Sequence, residues 1–312
     1  MMKLNLNPLG LLLAACVLAA PVQAQTGNAA QGAGDVVEVD GSEQVMTMRI
    51  DGELVFDTEG KVIEHRITTP GIEPALLKLA EDELARMRFE PVRIDGKPVN
   101  ARTFARMTLA ARTLDDGKFE VGIDNVLFFK GKLDESGAPK LDPEDGSLKR
   151  EGKGWTVAER PRNVSYPVGL MRAKIGGAVS VRLLLREDGT VENAFATQSA
   201  LFNVRGRDKL LDRGRELLEQ AAINAIRTWR FDPPGKRGDP GDPEWRSGNL
   251  SVFFYIDSIP GQRAGQWRME QRSPRRMAAW ELARKQPRLV GVSDMEGDEG
   301  LVSPDPRIRR VQ

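Results

Sequence analysis

The side chains that usually carry catalysis or bind metals are sparse in this chain. Its 312 residues include one histidine, His65, and one cysteine, Cys16. A single histidine cannot build a multi-histidine metal centre, and a lone cysteine supplies neither the zinc spacings nor an internal disulfide. His65 falls in a segment expected to be a strand, where a surface or hydrogen-bonded polar role accounts for it. Glu81-Asp82-Glu83 and Asp142 to Asp145 gather carboxylates, but the first is the exposed face of an expected helix and the second a Pro-Gly turn. No Gly-x-Ser-x-Gly, Ser-x-x-Lys or phosphate-binding Gly-Lys-Ser/Thr sequence occurs, which leaves nucleophilic and nucleotide chemistry unsupported. The chain reads as non-enzymatic, with neither cofactor nor metal.

Strands are plentiful, and one pattern of them occurs twice. Leu54 to Phe56, Gly60, Val62 and then Met87-Arg88-Phe89-Glu90-Pro91 are echoed by Leu183 to Leu185, Gly189, Val191 and then Trp229-Arg230-Phe231-Asp232-Pro233. In the first copy Met46, Met48, Ile50, Leu54 and Phe56 alternate, with Gly52 expected to mark a bulge. Val62 to Ile67 returns, Pro74 opens a helix with Leu76, Leu77, Ala80, Leu84 and Met87 on one stripe, and Ala105, Met107, Leu109 and Ala111 close the sheet. In the second, Val179 to Leu185 alternates and Val191 to Ala196 returns. A helix then carries Leu217, Leu218, Ala221, Ala222, Ala225, Ile226 and Trp229, and Leu250, Val252, Phe254 and Ile256 make the last strand. The fold class expected is α+β: two tandem small two-layer sandwiches, each an antiparallel ββαβ sheet with a helix on one face. The copies span 45–113 and 161–257, joined by a connector over 114–160 that holds a strand or hairpin around Val126 to Phe129.

The ends differ from this middle. Lys3, the apolar run Leu9 to Ala20 and Val22-Gln23-Ala24 read as a cleaved signal peptide over 1–24. The run is shorter than the roughly 20 apolar residues needed to span a bilayer, so no transmembrane anchor is expected after processing. Leu13-Ala14-Ala15-Cys16 leaves open the alternative of a lipoprotein anchored at Cys16. Residues 25–44 read as a flexible leader, with order expected near Val45. Lys plus Arg number 46 and Asp plus Glu 45, a balance that gives no electrostatic case for nucleic acid. Basic residues crowd 258–312, from Arg263 to Arg288, and this tail reads as partly disordered with a helix opened by Ser273-Pro274 and carrying Met277, Ala278 and Trp280.

Tyr166-Pro167, Gly176-Gly177-Ala178-Val179, Asp188-Gly189-Thr190-Val191 and Ala221-Ala222 through Trp229-Arg230-Phe231-Asp232-Pro233 together resemble the C-terminal domain of the TonB energy-transducer family. The likeness covers about Pro161 to Asp257. The first copy matches only from Gly60-Lys61-Val62 to Arg88-Phe89-Glu90-Pro91. The resemblance implies a periplasmic adaptor that takes up an extended segment of an outer-membrane receptor as an added strand. The edge implied is Asn249, Leu250, Ser251, Val252, Phe253, Phe254 and Tyr255, with Tyr166, Pro167, Gly177, Gly189, Trp229, Phe231 and Pro233 as structural motif residues. The chain departs from the family in having neither an uncleaved anchor nor a Pro-rich spacer, so force transduction is not expected. The expected function is capture of a peptide or envelope protein in the periplasm, linked to TonB-dependent transport. The alternative is a structural envelope scaffold whose edges pair with each other or whose domains touch cell-wall components.

Overall fold

Strands enter the fold ahead of Val45. The computed structural model describes residues 36–89, 91–94, 96–114, 116–129, 132–133, 139–140, 155–233, 241, 245–256, 262–278, 291–292 and 310–311. The expected signal over 1–24, the alternative lipoprotein site at Cys16, the first part of the expected leader and Asp142 to Asp145 lie outside these residues. β1 (Val36–Glu38) and β2 (Glu43–Phe56) come first, and Met48, Ile50, Leu54 and Phe56 are buried on one side of β2. The Asp57 carboxylate accepts the N–H groups of Glu59 and Lys61, and Gly60 takes a φ of 79°, which turns the chain into β3 (Val62–Ile67). Gly52 is not a bulge: β2 pairs with its neighbour in unbroken register there, and a Cβ would stand 2.6 Å from the Arg66 carbonyl oxygen. The glycine is required by close backbone approach.

α1 (Pro74–Arg86) has proline in its first turn and buries Ala80 and Leu84. β4 (Arg88–Phe89), β5 (Arg93–Ile94) and β6 (Lys97–Pro98) lead to β7 (Ala101–Thr113). β8 (Phe119–Phe129) then pairs along β7. The strand expected around Val126 to Phe129 is therefore longer, because a register shift opposite Thr108 and Leu109 absorbs the break in alternation around Asp124 and Asn125. β9 (Lys132–Leu133) and β10 (Pro139–Lys140) make a small ribbon.

The second half repeats the order of elements. β11 (Thr156–Glu159) and α2 (Val168–Arg172) precede the hairpin of β12 (Gly177–Leu185) and β13 (Val191–Phe202). α3 (Asp208–Ile226), β14 (Arg230–Asp232) and β15 (Ser247–Phe254) complete it. Leu218, Ala222 and Ile226 of α3 pack with Val179, Val181, Leu183, Trp229 and Phe231 in one core, while Leu84 of α1 packs with Ile50, Leu54, Met107 and Phe89 in another. The chain is α+β, with helices laid on largely antiparallel sheet.

The two halves share one sheet. Where a helix and a disordered tail were expected, the chain forms β16 (Trp267–Arg272) and β17 (Arg276–Ala278), followed near the end by β18 (Arg310–Val311). Trp280 and most of the tail beyond it lie outside the described residues. β16 stands between β13 and β2, so the eight-stranded sheet runs β15-β12-β13-β16-β2-β7-β8, with β3 beside the far part of β2. By register, Met269 and Gln271 share the face of Met46 and Leu201, which puts α1 and α3 on the same side.

Arg268, Glu270 and Arg272 occupy the opposite face. Arg272 is fully buried; its Nη1 donates to Glu43 of β2 at 3.1 Å and Asp124 of β8 at 2.8 Å, and its Nε donates to Glu270 at 2.9 Å. Arg112 of β7 bridges the same Glu43 and Asp124 at 2.9 and 2.6 Å. Burial works against the Arg272 charge, but Glu270 and Asp124 outweigh it and hold the guanidinium protonated far above its ordinary range. Burial likewise disfavours ionised Asp124, yet Arg272 and Arg112 hold it below the usual carboxylate value. A tail strand is thus fixed by a clasp of charges rather than by apolar contacts.

Candidate functional site

Of the expected edge residues, Asn249 to Phe254 lie in β15, the outermost strand of the sheet among the described residues, and Tyr255 follows its end. β15 pairs with β12 on its inner side, from Ser247 opposite Leu184 to Phe254 opposite Gly177. Among the described residues, no strand pairs with its outer side. The Leu185 N–H donates to the Arg246 carbonyl at 2.8 Å. Main-chain bonds alternate along an antiparallel pair, so Gly248, Leu250, Val252 and Phe254 turn theirs toward β12, and Asn249, Ser251 and Phe253 turn theirs outward. The side chains divide in the same way. Leu250 and Phe254 are buried in the core beneath α3, whereas Asn249, Ser251 and Phe253 are half-buried on the opposite face. There Ser251 faces Ser180 at 3.3 Å, and Arg182 donates to Asn249 Oδ1 at 3.2 Å. The rings of Phe253 and Tyr255 stack at 5.9 Å with an interplanar angle of 11°, and Tyr255 is 44% exposed.

Of the motif residues, Tyr166 and Gly177 meet this edge directly, both at Phe254. The Tyr166 hydroxyl donates to the Ile175 carbonyl at 2.8 Å, and its ring stands edge-on to Phe254 at 5.4 Å. Pro167 is the residue just ahead of α2. At Gly177 a Cβ would fall 2.4 Å from the Ala200 carbonyl oxygen and 2.5 Å from Leu218 Cδ1, so β12 can pass beneath α3 only as glycine. Gly189 has a φ of 80° and its carbonyl accepts the Phe231 N–H at 2.9 Å. In the first half Gly60 accepts from Phe89 at the same distance, 2.9 Å. Trp229 and Phe231 are core residues; Trp229 Nε1 donates to the Arg162 carbonyl at 2.8 Å, with the Arg160 guanidinium over its ring at 5.1 Å. Pro233 is exposed.

The matching strand of the first half is covered. Leu54 and Leu183 stand equally far before Gly60 and Gly189, and they pair with Thr103 and Gly248 respectively. Phe104, Arg106 and Thr108 of β7 therefore correspond to Asn249, Ser251 and Phe253. Those three positions of β7 are opposite Phe129, Leu127 and Asn125 of β8. β8 is also tied to α1, since the Glu83 carboxylate accepts the Ile123 N–H at 2.7 Å. The sequence gives Glu83 no such role, as only its place in an exposed acidic run is visible there. With Met87 matched to Trp229, Ala225 stands where Glu83 would, so the matched position of α3 carries no carboxylate.

His65 lies 3.4 Å from Glu81 on α1, both part-exposed. Among the described residues no cluster of His, Cys, Asp and Glu could hold a metal ion, and no helix is long and apolar enough to cross a membrane. Comparisons of the chain with protein-family models, with curated proteins and with solved structures found no match.

Proposed function

We propose that the protein is a non-enzymatic periplasmic binding protein, TonB C-terminal-like in its second half, that captures an extended peptide or envelope protein by strand addition at the outer edge of β15. One observation carries this reading: β7 has its outer edge filled by the chain's own β8, while the corresponding edge of β15 faces no strand among the described residues. A peptide on β15 would repeat what β8 does on β7, trading hydrogen bonds to water for main-chain pairing. Net gains of about 0.5–1.5 kcal/mol per hydrogen bond make such binding reversible, which suits an adaptor. A link to TonB-dependent outer-membrane transport follows from the resemblance of Tyr166 to Pro233 to that family, and periplasmic location from the expected signal.

The test is an amide-shift titration of the isotopically labelled chain from Gln25 onward with extended peptides from the plugs of outer-membrane receptors. Selective shifts over Asn249 to Tyr255 are the result expected. Unchanged shifts at millimolar peptide overturn the reading. In that case a concentration-dependent dimer in light scattering would mark the edge as a contact between copies, as a scaffold requires.

A further inference from the structure

The two edges differ in the size of the side chains that line each face. In the first half, Phe128 of β8 sits on the helix side opposite Ala105, edge-on to Phe56 at 5.6 Å and Phe89 at 5.2 Å. Its space exists because Ala105 is small. In the second half Leu250 replaces Ala105, and Trp155 and Trp245, 5.5 Å apart, pack in the same cluster as Leu185, Leu250 and Phe231. The helix side beneath the β15 edge is already filled. The other face shows the reverse. In the first half it carries Arg106, buried in an ion pair with Asp51 at 3.1 Å. In the second, the much smaller Ser251 takes that position beside Phe253, whose ring is stacked on Tyr255 and packs at its inner side with Ala178, Ala200 and Val292.

We infer that the strand taken up by β15 runs antiparallel, as β8 does on β7, and carries aromatic side chains two residues apart on the face away from α3, opposite Phe253 and Ser251. This rests on the reading of β15 as a strand-addition edge. Residues two apart on a strand share a face, and directly opposed and diagonal cross-strand rings are within reach of each other. Between them, the helix-side position opposite Val252 takes a small or β-branched residue.

Two labelled peptides of identical composition test this by fluorescence anisotropy with the chain from Gln25 onward: Thr-Phe-Thr-Phe-Thr-Ser-Thr and Thr-Phe-Phe-Thr-Thr-Ser-Thr. The first puts both rings on one face; the second forces one onto the filled helix side. The first is expected to bind about tenfold more tightly, in keeping with aromatic contacts of order 1 kcal/mol. Phe253→Ala abolishes the difference, and Ser251→Leu, which puts a bulky side chain beside the ring without removing it, does so as well. Ser251→Pro abolishes binding of both peptides. Equal affinities for the unaltered chain overturn the aromatic preference while leaving strand addition standing. Binding of neither peptide overturns both.

Discussion

Gly177 shows how narrowly a single residue limits this architecture. With neighbouring atoms 2.4 and 2.5 Å from where its Cβ would be, Gly177→Ala must push β12 away from α3 and β13. The expected cost is about 1–3 kcal/mol, the usual range for overpacking. At about 2–4 °C per kcal/mol for a chain of this size, calorimetry resolves the loss. Asp124 makes a prediction of a different kind. Its folded-state carboxyl is held below the ordinary value, so its contribution is fully present above the unfolded pKa of about 3.9 and is lost as pH falls through the lowered folded value. Denaturant titrations from pH 6 down to about pH 3 should show stability falling over that lower range, and Asp124→Asn should flatten the fall. A variant with the same acid profile as the parent would remove Asp124 from the account. Tyr166 was singled out only by the family resemblance, whereas Gly189, Trp229 and Phe231 were legible in the sequence because each ends or turns an apolar pattern. The role of Glu83 was not, because one carboxylate in Glu81-Asp82-Glu83 looks like the others until Ile123 is seen to face it.

The elements were legible in proportion to their apolar periodicity. Both hairpins, α1 and α3 follow spacings of two or of three to four. β8 was seen only at its Val126 to Phe129 end, because Gly122, Asp124 and Asn125 interrupt the pattern where the register shifts. β16 was missed for a physical reason: Arg268, Glu270 and Arg272 alternate as a strand should, but their buried face is made of charges rather than apolar side chains. Charge against charge leaves no hydrophobic signal in a sequence. The edge at Asn249 to Tyr255 was legible as a strand, whereas its outermost position depended on finding the partners of every other strand. That position gives a test at this scale. Ser251 turns its N–H outward, so Ser251→Pro removes a donor from the open edge and none from the ladder with β12. The far-ultraviolet dichroism and melting of this variant should stay near those of the parent while peptide binding is lost. Val252→Pro, which takes a donor from the ladder, should unfold the second half.

For the whole molecule, the decisive strand is one that belongs to neither half. β16 pairs with Ala200 to Phe202 on one side and with Glu43 to Met48 on the other. A chain ending at Ile256 should therefore lose the common sheet, leaving the β2 edge and the end of β13 open and replacing one cooperative denaturation with two. Differential scanning calorimetry distinguishes one transition from two, and a single unshifted transition would show that the halves hold together without β16. The same arrangement sets the order in which the molecule can be made. Glu43 emerges from the ribosome long before Arg272, so the centre of the sheet is completed only once β16 has followed both halves. Contacts this distant in sequence form slowly. A nascent chain can build each half but cannot close the sheet between them until residues 267–272 have emerged to pair with both.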